Sequence, residues 1–594
     1  MPELHFKGKE YVYNHHLTVP YRPLVPDSKK SIGGTDQENL IIHGDNLHAL
    51  KALLPRYAGK VDCIFIDPPY NTGNENWNYN DNVNSPMMKE WLDGNPVNKE
   101  DMLRHDKWCC LMYPRLKLLH ELLSDDGSFW MTLDDNEIHR ARMILDEIFG
   151  EESFIATVVW QKRTSPESRL MLGAAHDYLV VYSKKPDGTK LRKLGLSEEQ
   201  VDQFSNPDDD PRGAWVSSDL TAQGYRKNQM YELTTPAGKK YTPPPGRCWS
   251  LLENEFIRLE REGRLWFGVK GDARPRIKTY LDESEGVSAW TWWTNKEAGD
   301  NQESKKEVNR ILGPNTPFAY PKPVRLLSRI IELATSRESL ILDSFAGSGT
   351  TAHAVLAQNK KDEGNRKFIL VECESYADDL TAERVRRVIN GYKFNGSIKE
   401  TLYRHRVTWK DFSNDKLQAK IKDQVQSIEN LETERFDSIK KTITGDEVVV
   451  TGTKKVSKRT DGIGGGFTYC TLGDPLDLDK LLSGKNLPSY ESIGAWLFHT
   501  ATGEPLDQKN VKEKLFYLGD STAFHVWLIY KPDLEFLKSR DAALTLSFAE
   551  QIAKKQNKRH LVFAPSRFVP NKMLLPLGVE YAPLPFALYR VEKD

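Results

Sequence analysis

The chain has 594 residues, with 83 Lys plus Arg against 84 Asp plus Glu, so net charge argues neither for nor against a nucleic-acid partner. At 68.0 kDa it is too long for one hydrophobic core, and 39% hydrophobic residues, 28% charged residues and a mean hydropathy of -0.58 fit a soluble globular protein of several domains. No apolar run is long enough to span a bilayer, the start MPELHFKGKEYVYNHH lacks a secretory signal, and the six cysteines form no CxxC pair, so a reduced, cytoplasmic protein away from membranes is expected.

Residues 40 to 160 alternate short apolar runs (LIIHGD, VDCIFID, GSFWMTLDD) with amphipathic stretches such as WCCLMYPRLKLLHELLS, which predicts a parallel α/β sheet. From roughly 160 to 310 that rhythm is lost in favour of Pro, Gly, aromatic and basic residues, with an acidic loop at SNPDDDPRG, as in an inserted module. Alternation returns between 318 and 390 with SLILDSF, TTAHAVLAQN, RKFILVE and TAERVRRVIN, so the insertion splits one α/β domain. Beyond about 400, KLQAKIKDQVQSIENLETERFDSIKK reads as an exposed helix or connector, and the last hundred residues regain strands (FHVWLIY, RHLVFAP) around the helix TLSFAEQIAKK.

The first chemical signal is Asp67-Pro68-Pro69-Tyr70, directly after the buried-strand pattern VDCIFI and before Asn71, Thr72 and Gly73. Open α/β sheets place their sites beyond the carboxyl ends of strands. Pro69 has no amide hydrogen, which leaves the Pro68 carbonyl able to accept from a ligand. An exocyclic adenine amine is a poor nucleophile because its lone pair is delocalised into the ring. Two acceptors, Asp67 and the Pro68 carbonyl, would favour its pyramidal, reactive form. Tyr70 would stack on the base, a contact worth about 1 to 3 kcal/mol in single-strand binders, against the few kcal/mol that extruding a base costs. The bland reading is a strand ending in an Asp-Pro turn.

The second signal is the run Asp343, Ser344, Phe345, Ala346, Gly347, Ser348, Gly349, Thr350, Thr351, between a strand and a helix. Glycines at 347 and 349 admit a ligand close to the backbone, the helix start favours a carboxylate, and Glu372 at the next strand's tip suits ribose hydroxyls. A packing turn is the competing reading of a lone GxG. No GxxxxGK[ST] follows any strand, which excludes a phosphate-binding ATPase loop in this chain. Asp45, with Asn46 beside it, follows the strand LIIH; it could accept from a cofactor's adenine amine or cap the helix LHALKALL.

DPPY at 67 to 70, a long insertion and FAGSGTT at 345 to 351 resemble, in that order, the β-class amino-methyltransferases of DNA. The runs TWWTNKEAGDNQESKKEV, PFAYPKPVRLLSRII and GGGFTYCTLG resemble the modification (Mod) subunit of type III restriction-modification systems across nearly the whole chain. The resemblance implies a Rossmann-like S-adenosylmethionine-dependent methyltransferase sheet, circularly permuted, with an inserted DNA-recognition domain and a C-terminal α/β accessory domain. It implies that Asp67, Pro68 and Tyr70 hold a flipped adenine in duplex DNA for N6 methylation. Asp45, Asp343, Phe345, Gly347, Gly349 and Glu372 would line the S-adenosylmethionine pocket, with Pro321, Lys322 and Pro323 over the methionine part and the backbone at Thr350 and Thr351 completing it. The implied domains are 1–160 and 311–400 for the methyltransferase, 161–310 for target recognition, 401–485 for a helical and β spacer, and 486–594 for dimerisation or partner docking. Homodimerisation and a restriction subunit with helicase and nuclease activity are the expected partners, with no metal required. A stand-alone methyltransferase and a non-catalytic DNA-binding regulator are the alternatives.

Within the insertion, basic and aromatic residues interleave: Lys162 and Arg163, Arg226 and Lys227 after Tyr225, Arg264 before Trp266, Arg274 and Arg276, and Trp290, Trp292 and Trp293. This mixture suits contact with phosphates and bases. A local tryptophan core with a solvated charged surface is the competing reading for about half of them.

Overall fold

The computed structural model describes residues 3–34, 37–72, 103–165, 171–188, 191–196, 198–284, 286–314, 316, 318, 320–444, 447–475 and 487–584. Gly73, which the sequence reading attaches to the tetrapeptide, lies outside them.

One mixed sheet organises the larger part of the chain. Its strands are β1 (Leu24–Ile32), β2 (Leu40–His43), β3 (Val61–Ile66), β4 (Leu123–Leu133), β5 (Phe154–Gln161), β6 (His176–Ser183), β7 (Trp292–Trp293), β8 (Leu340–Asp343), β9 (Lys367–Glu372) and β10 (Phe467–Leu472). They lie in the order β1-β10-β2-β9-β8-β3-β4-β6-β5-β7. The central strands β2, β9, β8, β3 and β4 run parallel, and β6 is antiparallel to both β4 and β5. Their runs are almost unbroken in apolar character because a parallel sheet is covered on both faces. The cover includes α1 (Asn46–Tyr57), α2 (Arg104–Leu122), α3 (Ile138–Phe149), α4 (Val324–Ala334), α5 (Thr350–Asp362) and α6 (Glu383–Asn390). Helix α2 buries Trp108, Leu116, Leu119 and Leu122 completely, at roughly 1.5 to 3 kcal/mol for each large apolar side chain removed from water.

The late strands β8 and β9 sit between the early strands β2 and β3, with Ile341 opposite Cys63 and Leu342 opposite Ile64. From β8 the chain proceeds through α5 to β9 on one side; from β3 it proceeds through α2 to β4 on the other. That divergence opens a crevice beyond the carboxyl ends of β3 and β8, the place where such sheets take ligands. Residues 66 and 343 end the two strands, so both sequence motifs begin at its rim.

Two compact units are resolved by their contacts: Leu191–Trp290, and the remainder. The smaller unit has a three-stranded sheet of Leu265–Trp266, Arg276–Tyr280 and Trp215–Asp219, and a core of Leu220, Leu233, Trp249, Phe256, Leu265 and Phe267. In its acidic loop Asp208 and Asp209 are exposed and Asp210 is buried. Asp210 accepts from Arg212, Lys278 Nζ (2.8 Å) and Tyr280 (2.7 Å), which hold its carboxyl well below the usual carboxylate range, Arg212 contributing most.

These boundaries differ from the 161–310 insertion expected from sequence. Strand β6 and the pair β7 belong to the main sheet, because the buried run YLVVY of β6 hydrogen-bonds on both sides and Trp292–Trp293 pairs with β5. The expected 401–485 spacer is likewise composite. It holds the helix Asp415–Glu432 and most of a three-stranded antiparallel sheet (Gly391–Arg406, Ser438–Thr444, Glu447–Asp461), but its last strand, β10, inserts between β1 and β2. The terminal α/β region has a four-stranded sheet of Tyr517–Asp520, Phe524–Leu528, Arg559–Ala564 and Val579–Pro583. The Leu506 amide joins it to the end of α1, donating to the Pro55 carbonyl at 2.7 Å.

Candidate active site

Asp67 is the first residue beyond β3, and its carboxylate is held from two directions. Thr132 on β4 donates to Oδ1 at 2.5 Å, and the Lys322 ammonium donates to Oδ2 at 2.5 Å. Trp108 Nε1 ties the Pro69 carbonyl at 2.7 Å, while no donor among the described residues reaches the Pro68 carbonyl. The turn therefore presents a carboxylate and an adjacent unpaired acceptor, the pair that an amine with two hydrogens requires.

Tyr70 lies below this pair. Its hydroxyl is 3.5 Å from Asp177 Oδ2, Asp177 Oδ1 is held by the Lys162 ammonium at 2.5 Å, and the Lys322 ammonium is 5.1 Å from the Tyr70 ring centre. Burial raises the Asp177 carboxyl above the usual range, opposed by the charges of Lys162 and Lys322. Asn71 follows in the left-handed region (φ 59°), and its amide donates to the buried carboxylate of Glu137 at 2.5 Å, which His105 also contacts. A residue other than Gly is held there because the side chain is anchored.

On the other rim, the turn after β8 is built from backbone. Gly347 (φ 51°) and Gly349 (φ 74°) occupy left-handed conformations; a Cβ at 347 would come within 2.9 Å of the Phe318 ring, and one at 349 within 2.9 Å of the Thr381 carbonyl. The Ala346 amide donates to the Val371 carbonyl. Glu372 at the tip of β9 accepts from the Gly347 amide at 2.7 Å and the Glu374 amide at 3.0 Å. Asp343 accepts from Thr351 Oγ1 (2.5 Å) and the Phe345 amide (3.0 Å). Full burial pushes its carboxyl up to about 7 despite those donors, and the charges of Asp67 and Glu372 add to the rise. Behind the turn the fully buried Arg384 donates to Ser348 Oγ (2.9 Å) and Thr350 Oγ1 (2.8 Å).

The Pro321-Lys322-Pro323 segment joins the rims. The Lys322 carbonyl accepts from Thr350 Oγ1 at 3.2 Å while its side chain reaches Asp67. Only the backbone therefore stands where the sequence reading put the whole residue, beside the glycine turn. Asp45 takes the capping alternative: it accepts from the Leu47 and His48 amides and meets Arg115 at 3.3 Å. Asn46 is buried, with its amide on the Ser344 carbonyl (3.1 Å) and its oxygen on Arg115 Nε (2.5 Å), so it braces β8 against α1 instead of facing a ligand.

The basic candidates divide. Lys162 is engaged by Asp177 beside Tyr70, a ligand-pocket position in place of the expected DNA contact, because β5 and β6 pair at that level. Arg163 is exposed. In the smaller unit Arg226 and Lys227 are exposed on a turn, Arg274 is exposed with its guanidinium 5.6 Å from the Tyr241 ring centre, and Arg276 is bound to Ser217. Arg264 is paired with Glu283. Trp293 is buried and stacked on Trp130 at 6.2 Å, whereas Trp290 and Trp292 are exposed. Thr132, Asp177, Phe318 and Arg384 carry no sequence signal of their own: an Arg in a helix reads as surface until its neighbours are known.

The chain belongs to the DNA methylase family, whose N6_N4_Mtase model matches residues 61–383, over half of its length. It is 33% identical over 421 residues to the type III restriction-modification enzyme StyLTI Mod subunit of Salmonella typhimurium, covering 65% of this chain and 62% of that one. The EcoP15I Mod subunit of Escherichia coli is 26% identical over 439 residues, with 66% of each chain covered. The type II methyltransferase M.KpnI of Klebsiella pneumoniae is 30% identical, with 58% of this chain and 83% of that one covered. The chain thus matches a little under two thirds of the length of these type III subunits.

Proposed function

We propose that the protein is a site-specific DNA methyltransferase acting on N6 of an adenine flipped from duplex DNA, with S-adenosylmethionine as methyl donor, and that it is the modification subunit of a type III restriction-modification system. One observation carries the reading: the Asp67 acceptor pair and the glycine turn face one crevice, joined by Lys322.

The residues at the second rim fit the cofactor. Gly347 and Gly349 hold the turn in left-handed conformations packed closely against Phe318 and Thr381, Glu372 offers a carboxylate to ribose hydroxyls, and Asp343 braces the turn through Thr351 and the Phe345 amide. When bound, the cofactor supplies a methyl group on a sulfonium, whose transfer to N6 releases S-adenosylhomocysteine and a proton. Asp67 and the Pro68 carbonyl accept both amine hydrogens, localising the nitrogen lone pair on the face turned to the donor. Tyr70 stacks on the base, and Asp177 with Lys162 closes the pocket beside its hydroxyl. Catalysis is then positioning and polarisation without a covalent enzyme intermediate. The interleaving of β8 and β9 between β2 and β3 supports a circularly permuted sheet. The exposed Arg226, Lys227 and Arg274 of the inserted unit are the proposed DNA contacts.

Similarity to Mod subunits of restriction-modification enzymes favours a restriction partner; a homodimer and a cytoplasmic location belong to the same proposal, and no helix among the described residues is long and apolar enough to cross a membrane. The high coverage of a type II methyltransferase favours a second reading, an enzyme that works without a nuclease partner. Incubating the purified protein with methyl-labelled cofactor and duplex DNA, then analysing nucleosides, tests the activity: N6-methyladenine is expected, and N4-methylcytosine or unlabelled DNA overturns it. Co-purification of a helicase-nuclease chain separates the two readings.

A further inference from the structure

Lys322 is the one residue whose contacts, among those described here, reach from the glycine turn to the Asp67 carboxylate. Its ammonium is 2.5 Å from Asp67 Oδ2 and 5.1 Å from the centre of the Tyr70 ring, and only 10% of the side chain is exposed. A target amine must take the same place, within hydrogen-bond reach of Asp67 and beside a base stacked on Tyr70. Like that amine, the ammonium is a nitrogen that can donate several hydrogens, and it is held by the same carboxylate and the same ring face. The two cannot be there together.

We propose that Lys322 is a positioning residue that fills the target-amine position until the cofactor arrives, and that its withdrawal couples cofactor occupancy to entry of the base. The proposal rests on the function proposed above. The physical drive is charge. Reaction geometry requires the sulfonium methyl to lie about 3 to 3.5 Å from the target nitrogen, so a bound cofactor brings a second cation to the place where the Lys322 ammonium already sits. Like charges repel steeply at that range in a site shielded from water. Lys322 has a nearby alternative, since Asp177 already feels its charge together with that of Lys162. Flanking prolines restrict the backbone, and the carbonyl remains tied to Thr350, so the side chain is the part that moves. Before the cofactor binds, the ammonium pairs a carboxylate that would otherwise be unbalanced.

The test uses the full chain and a duplex carrying 2-aminopurine at the adenine that methylation mapping identifies. Its fluorescence rises when the base leaves the stack. Sinefungin, which carries an ammonium where the cofactor has its sulfonium, is compared with S-adenosylhomocysteine, which is neutral at sulfur, and with no addition. The unaltered protein should extrude the base more readily with sinefungin than in the other two conditions, by at least about ten-fold in the extrusion equilibrium, an ordinary allosteric coupling. Lys322→Met should extrude it equally in all three, and Lys322→Arg should restore the dependence. Thermal unfolding and sinefungin binding by Lys322→Met verify that the variant is folded, and if it is not, the Lys322→Arg and Lys322→Gln pair is read in the same way. A Lys322→Met protein that keeps the ligand dependence overturns the proposal while leaving the methyltransferase reading intact. Failure of the unaltered protein to extrude the base under any condition overturns both.

Discussion

The two rims of the crevice solve their problems by opposite means. The glycine turn is a backbone device: φ values that favour glycine, amides directed at Glu372, and a buried Arg384 bracing Ser348 and Thr350 from behind. Nearly everything it needs comes from residues 343 to 384. The Asp67 turn is a side-chain device whose parts are borrowed from Thr132, Lys322, Trp108 and, through Asn71, Glu137. A self-contained cradle keeps one shape for one ligand. A borrowed one can be rearranged by whatever displaces its lenders, which suits a site that must accept a base only at the right moment.

Removing the acceptor is the harshest way to break this comparison. Asp67→Ala should lower the methylation rate by about 10² to 10³-fold or more, the size found when one preorganised electrostatic partner of a reaction is deleted. Cofactor affinity should not fall, because Asp67 belongs to the other rim, and release of the Lys322 ion pair would if anything raise it. Single-turnover methylation and calorimetric titration measure the two separately. A comparable loss in both would mean that the rims are one site.

The glycine rim is sharpened by pH. Asp343 is held protonated to about 7 by burial, with Asp67 and Glu372 adding to the effect, against an ordinary carboxyl value of 3.8. The folded state therefore binds the proton more tightly than the unfolded state. The stability this contributes is present at low pH and is lost as pH rises from near 4 through 7, by up to about 1.4 kcal/mol per unit. Asp343→Asn, a close mimic of the protonated form, should match the unaltered protein near pH 4 and melt progressively higher as pH approaches 7. Thermal unfolding across that range measures the difference. A constant difference would show that folding does not raise the affinity of Asp343 for its proton.

Strands β2, β3, β4, β8 and β9 were legible because buried parallel strands write themselves as apolar runs, and both motifs were legible because they stand where those runs stop. Asp177 and Arg384 were not, because each acts through a partner more than a dozen positions away and looks, in the sequence, like an ordinary charge; Lys322 was legible as a residue of the site, but its reach to Asp67 was not. Lys162 misled for the same reason: a lysine after a strand resembles a DNA contact until Asp177 is seen beside it. The edges of the insertion were blurred because β6 and the two-residue β7 lie in or beside an aromatic-rich stretch, and pairing with β4 and β5, which no local pattern reports, places them in the sheet. Asp45 could be read two ways, and the helix start decided for the cap.

The smallest expected effect concerns the inserted unit, and it distinguishes charge that is already used from charge that is available. Arg264 and Arg276 are held by Glu283 and Ser217, whereas Arg226 and Lys227 are exposed on a turn, with Arg226 only 3.4 Å from the neutral Gln229. A cation that neutralises a phosphate releases a condensed counterion, so each such contact adds about 0.9 to the slope of log affinity against log salt on duplex DNA. Lys227→Ala should therefore reduce that slope by about one unit and weaken binding to specific and unrelated duplexes alike. Arg264→Ala should leave the slope unchanged, since its charge is already matched by a carboxylate. Titrating both variants with fluorescent duplex at several salt concentrations measures the slopes. Equal slopes for Lys227→Ala and the unaltered protein would remove this turn from the DNA surface and leave Arg163 and Arg274 to carry it.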